Sequence, residues 1–178
     1  MRNAVLVASA IMASVIVGPA SAQSLENVPP LDLGAAIGEP GAGWRKQSAT
    51  DEGLTFVCES EACGGRGVLG IGQAKTSPDY VKAVIADPEK MLKSYQYGSE
   101  ESMKPSGCSF SSYATKRIGE QRVQYTSIGT CPQGGHAAMT TIFDGNRPYM
   151  ISVQVLTGSE AAAVKLRDQT TDKLNSAL

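Results

Sequence analysis

Four cysteines behind an export signal constrain this chain more than any other feature of its sequence. Cys58, Cys63, Cys108 and Cys131 are the only cysteines among the 178 residues. All lie beyond an N-terminal segment with the three parts of a secretory signal. Arg2 supplies the positive start, Ala4 to Val17 an uncharged apolar run, and Gly18-Pro19 a helix break. Ala20-Ser21-Ala22 then offers the small residues that a signal peptidase reads, so cleavage is expected after Ala22. The apolar run falls short of the roughly 18–20 residues that a spanning helix needs. No cysteine stands at the cleavage point to take a lipid, and no later stretch has the length and apolarity of a membrane span. An even number of cysteines in an exported chain reads as two disulfides, a periplasmic or secreted protein being expected, and four cysteines allow three pairings.

Geometry favours one of the three. The segment from Gly107 to Cys131 reads as two strands around Ile118-Gly119-Glu120-Gln121. Cys108 lies ten residues before Ile118 and Cys131 ten after Gln121. A two-residue Gly119-Glu120 turn therefore sets the two cysteines opposite each other, within disulfide reach. Strict alternation from that turn makes them a hydrogen-bonded pair, whose side chains are less close; a bulge or a longer turn relieves this. Cys58 and Cys63 are left to close a small loop around Glu59-Ser60-Glu61-Ala62. On the chain-entropy account the larger loop contributes about 3 kcal/mol. A redox role is disfavoured, since there is no Cys-x-x-Cys and Glu59 and Glu61 oppose thiolate formation.

Loss of Met1–Ala22 leaves 156 residues, the size of one domain, with a net charge near −2 and no long run of one sign. Nucleic acid and a polybasic membrane patch are not indicated. Residues 23–43, with Pro29-Pro30, Pro40 and four glycines, read as an extended leader outside the core, although Leu31, Leu33 and Ile37 offer docking points. A single disulfide-stapled domain is expected over 44–178.

Within it, Leu54–Cys58 and Gly67–Ala74 read as strands. Ser77-Pro78 and Asp87-Pro88 each set a capping side chain before a proline at the first helical position, opening a bent helix pair. Residues 96–107 read as a polar turn. After the 108–131 hairpin, residues 137–143 and 149–156 alternate around Asp144-Gly145-Asn146, a strong hairpin signal. Thr157-Gly158-Ser159-Glu160 reads as a capping box before a last helix. The expected class is α+β: an antiparallel sheet of about six strands, mostly a meander, flanked by the helix pair and the C-terminal helix.

Trp44 before an early strand, then the long β-meander and the final helix, resembles the Mog1/PsbP-like fold in the order of its elements. That resemblance covers roughly Trp44 to Leu178. It implies helices flanking an antiparallel sheet, in a group that includes accessory and binding proteins of cell envelopes and photosynthetic membranes. It carries no site residue to this chain.

Motifs of catalysis are scarce. Gly65-Arg66-Gly67-Val68-Leu69-Gly70 spells G-x-G-x-x-G, yet a cysteine loop precedes it and a strand pattern follows, the reverse of the dinucleotide fingerprint. A glycine strand approached closely by other groups fits better. His136 is the only histidine and follows Gly134-Gly135 in an expected loop. A hydrolase would have to use it with a carboxylate or serine neighbour, and no nucleophile elbow is present. The pairs Glu59/Glu61 and Glu100/Glu101 read as solvated charge. Lys116, Arg117 and Arg122, at the tip of the 108–131 hairpin, are the candidate grip on an anionic partner. The expectation is a small non-catalytic protein of the bacterial cell envelope that binds a protein or small-molecule partner, with no catalytic residue, metal or cofactor; the alternative is the hydrolase using His136.

Overall fold

The computed structural model describes residues 27–63 and 65–178; the expected signal peptide and its cleavage point lie outside them. Seven strands, one more than expected, form a single antiparallel sheet. They are β1 (Trp44–Thr50), β2 (Gly53–Ser60), β3 (Gly65–Lys75), β4 (Ser109–Ile118), β5 (Arg122–Cys131), β6 (Gly135–Asp144) and β7 (Tyr149–Thr157). Their order across the sheet is β1-β2-β3-β7-β6-β5-β4. The strand absent from the sequence expectation is β1. It is an edge strand whose residues after Trp44 are all exposed, so it carries no apolar alternation to betray it.

The period-two alternation of the central strands sends side chains to two faces, and helices cover both. Leu54 and Phe56 of β2, Leu69 and Ile71 of β3, Ile151, Val153 and Val155 of β7, and Ala138 and Ile142 of β6 form the larger core. Ala163 and Leu174 of the last helix, α4 (Glu160–Ala177), close it. The N-cap of α4 is Ser159, whose hydroxyl accepts from the Ala162 amide, rather than Thr157. On the opposite face Val123, Tyr125 and Phe143 pack against Val81 and Val84, which belong to the first of two consecutive helices, Pro78–Ala86 and Pro88–Met103.

The segment expected as a leader is partly core. Asp32 caps a short helix, α1 (Leu33–Ile37), by accepting from the Ala35 amide at 2.9 Å, and Leu33 and Ile37 are buried against the larger core. The two helices after it in the chain are α2 (Pro78–Ala86) and α3 (Pro88–Met103). Three side chains hold the strap. The buried Gln73 accepts from the Leu31 amide at 2.9 Å and donates to the Leu31 carbonyl at 2.8 Å, as a neighbouring strand would. Lys173 donates to the Ile37 carbonyl, where α1 ends, and Arg147 to that of Pro29. Gln73→Leu keeps the volume and removes this pairing, leaving the Leu31 amide without its partner. It is expected to cost about 2 kcal/mol and to expose residues 27–37 to proteolysis first, which limited digestion followed by mass spectrometry will read.

Disulfides join Cys58 to Cys63 and Cys108 to Cys131. The 108–131 hairpin differs from its expected form in two compensating ways. Ile118 pairs with Arg122, so the turn has three residues, 119–121, and the register shifts by one at a bulge between Phe110 and Ser112. Together these restore the opposition of Ser109 with Thr130, beside the disulfide. The G-x-G-x-x-G stretch lies inside strand β3. A Cβ at Gly67 would come within 2.8 Å of the Trp44 indole, so the glycine there makes room for the ring.

Candidate functional site

Where α2 and α3 leave the sheet, a cleft of about 280 Å³ opens between α3 and strands β6 and β7. Its floor alternates out of the two strands: Met139, Thr141 and Phe143 from β6, Met150, Ser152 and Gln154 from β7. These are the cross-strand partners Met139–Gln154, Thr141–Ser152 and Phe143–Met150, one face of the hairpin that Asp144-Gly145-Asn146 closes. The roof is Ser94, Tyr95, Gly98, Ser99 and Ser102 of α3, with Tyr80 of α2 at one side. Tyr80 meets Phe143 edge-on at 5.7 Å.

An aromatic group fixes α3 at its distance from the sheet. Tyr95 stacks on Tyr125 at 4.9 Å and meets Tyr113 edge-on, and Tyr125 meets Phe143 edge-on at 5.9 Å. The hydroxyls anchor the same contact. Tyr125 donates to the Pro88 carbonyl at the start of α3, and Tyr113 to Glu100 at 3.1 Å. Burial pushes the Tyr113 phenol up to about 12, with the hydrogen bond to Glu100 and its charge adding in the same direction. Burial likewise pushes Tyr125 up to about 12. Both are neutral donors at physiological pH.

Gly98 is the residue the fold explains least. It stands inside α3, where glycine costs about 1 kcal/mol relative to alanine. A Cβ there would meet no atom within 4 Å, so close packing does not require its small size. It borders the cleft and keeps that border low. Gly98→Ala is expected to stabilise the protein by about 1 kcal/mol, read as a higher urea midpoint with an unchanged slope.

The second half of α3 corrects the expectation of a polar turn over 96–107. Residues 96–103 are helical, followed by a short 3-10 turn over Lys104–Ser106. Met91, Leu92 and Tyr95, the apolar stripe that the sequence places on the first half of α3, pack against the second core, whereas Ser99 is the only buried residue of the helix, so its second half offers no stripe for periodicity to find. Asp87, whose side chain accepts from the Lys90 amide, caps α3 as expected, while Ser77 makes no such side-chain bond to α2.

Of the three cations at the hairpin tip, Lys116 and Arg122 lie diagonally on one face of the sheet and Arg117 on the other. Arg117 donates to the Ile85 carbonyl at 2.6 Å, near the end of α2. Arg122 makes two bonds to Asp144, at 3.0 and 2.8 Å, and a third to the Asn175 carbonyl of α4. Of the three, Lys116 alone has no such tie among the described residues, and Lys116→Ala is expected to leave the stability read by urea unfolding within about 0.5 kcal/mol of the parent.

His136 does not stand in a loop. It lies in β6, half-buried, opposite Thr130 and Thr157, and its Nδ1 has no hydrogen-bond partner among the described residues. The strand's alternation puts it with Ala138 on the α4 side, across the sheet from the cleft. Glu59 pairs with Arg45 and Glu101 with Lys104, both at the surface. Among the described residues no group of three or more histidine, cysteine or acidic side chains is placed to hold a metal, and no helix is long and apolar enough to cross a membrane.

No family model matches this chain, and no curated protein does. It is similar to several solved structures at low identity. The extracellular domain of PknH from Mycobacterium tuberculosis is 8% identical, with 80% of this chain and 70% of that one covered and a TM-score of 0.35. A STAR-related lipid transfer protein from Xanthomonas axonopodis is 10% identical, with 76% and 97% covered and a TM-score of 0.25. Human StAR-related lipid transfer protein 5 is also 10% identical, with 76% and 86% covered and a TM-score of 0.26.

Proposed function

We propose that this chain is a periplasmic, non-catalytic binding protein of the bacterial cell envelope, and that the cleft between α3 and the β6–β7 hairpin holds a small, largely apolar ligand. The observation that carries the reading is the composition of that cleft. Two methionines, a phenylalanine and two tyrosines supply apolar surface, and serine, threonine and glutamine supply a few neutral hydrogen-bonding groups. Apolar walls with sparse polar points are the usual make-up of a small-molecule site, and methionine adapts to ligands of irregular shape. Gly98 supports the same reading, because the helix keeps a destabilising residue where only empty space would meet a side chain. The two disulfides belong to a protein that folds in an oxidising compartment. The expected cut before Gln23 is part of this reading, and the intact mass of the exported protein, unreduced, tests it.

The binding test uses N-phenylnaphthylamine, a neutral probe that fluoresces in apolar sites. Wild type is expected to bind it saturably. Gly98→Phe, which sets a ring in the open space of the cleft, is expected to reduce affinity at least about tenfold without lowering the urea midpoint. Equal binding by the folded variant would remove the cleft as the site.

A further inference from the structure

The cleft does not end at β7. A second depression of about 320 Å³ continues from it across β7, β3 and β2 toward β1, and Ser152 and Gln154 line both. Its floor is stripped of side chains on this face: Gly53 pairs with Gly72, Gly72 with Ser152, and Gly70 with Gln154. Gly70 is an interior residue of a central strand, where a side chain normally adds packing. A Cβ there would meet nothing nearer than the Gln154 carbonyl at 4.0 Å. Around this floor stand Ser48, Thr55, Ser152 and Gln154. Among the described residues, no lysine, arginine, histidine, aspartate or glutamate lines either depression. A charged group on a ligand would therefore lose hydration in the groove without gaining a counter-ion.

Resting on the binding role proposed above, we infer that the two depressions form one groove for an uncharged amphiphile. Its apolar chain lies under α3 against Met139, Phe143 and Met150. Its neutral, hydroxyl-bearing head lies over Gly70 and Gly72, within reach of the side chains of Ser152 and Gln154. The hydroxyls and the amide match a head that both donates and accepts hydrogen bonds, and the missing side chains leave its room.

The experiment displaces N-phenylnaphthylamine from the full folded domain with three ligands of one chain length: monodecanoylglycerol, decanoate and decyltrimethylammonium. The neutral lipid is expected to compete at least about tenfold better than either ion. Gly70→Val puts a β-favouring side chain on the floor of the second depression. It is expected to keep the fold and the probe affinity while weakening monodecanoylglycerol about tenfold or more. Competition as monomer and from phosphatidylcholine vesicles tells a free ligand from a membrane-held one. Displacement in either arm supports the assignment and displacement in neither overturns it. Equal competition by the ions, or a Gly70→Val protein that binds the lipid normally, overturns this inference while the cleft remains a binding site. A probe that wild type does not bind at all overturns both.

Discussion

Asp144→Ala is expected to destabilise the protein by about 3–5 kcal/mol, the range for removing one partner of a buried ion pair. The Asp144 side chain is 4% exposed and that of Arg122 is 15% exposed. Asp144 accepts two bonds from the Arg122 guanidinium through one oxygen and the Asn146 amide, at 2.8 Å, through the other. The second bond shapes the β6–β7 turn, and the first holds Arg122 where it reaches the Asn175 carbonyl of α4. Loss of the carboxylate therefore leaves a half-buried cation without its counter-ion, unties the end of α4 and loosens the hairpin that floors the cleft. Urea unfolding will read the cost. Asp144→Asn preserves shape and is expected to recover part of it, through the turn bond. A loss below about 1 kcal/mol in Asp144→Ala would mean that the pair is solvated like a surface bridge.

Alkaline pH is expected to remove about 2–3 kcal/mol of stability through Tyr125, since each unit of displaced pKa is worth about 1.4 kcal/mol. Its phenol is raised from the ordinary 10.0 to about 12, burial being the main cause. The side chain is 1% exposed and donates to the Pro88 carbonyl, which an ionised oxygen cannot do. Below the ordinary value both folded and unfolded chains hold the proton, and the effect is nil. Between the two values the unfolded chain releases it and the folded chain retains it, so the unfolded state binds fewer protons and stability falls as pH rises. Above the folded value the loss is complete. Tyr125→Phe should start less stable by about 1 kcal/mol for the lost hydrogen bond and then show a flatter decline. Urea midpoints of both proteins across this window give the comparison. Parallel curves would place the alkaline transition in other groups.

Legibility followed the physics of each segment. Strand β7 declares itself because Ile151, Val153 and Val155 are buried on one face while Gln154 and Leu156 of the other are exposed, so alternation and the Asp144-Gly145-Asn146 turn agree. The half of α3 that roofs the cleft was hidden for the opposite reason. A wall facing empty space needs no apolar stripe, and Gly98 imitates a chain break. Leu33 and Ile37 have the four-residue spacing of a helix face, but prolines and glycines on either side outweighed it. The strap is held by Gln73, forty-two residues from Leu31, and local sequence holds no trace of that. Arg117 and Arg122 looked like free charge because their partners, a helix-end carbonyl and Asp144, are brought to them only by packing.

By itself the sequence determined what local chemistry can determine. It marked the pairing of an even set of cysteines, the central hairpins, the helix pair after Ser77 and the last helix, because caps, turns and alternation act over a few residues. The tertiary structure decided the rest. It made β1 an edge strand, put α3 over one face of the sheet and α4 over the other, neutralised Arg122 against Asp144, and left Gly98 and Gly70 facing open space. A cleft is a volume that distant segments fail to fill, and no single segment records what its neighbours leave empty.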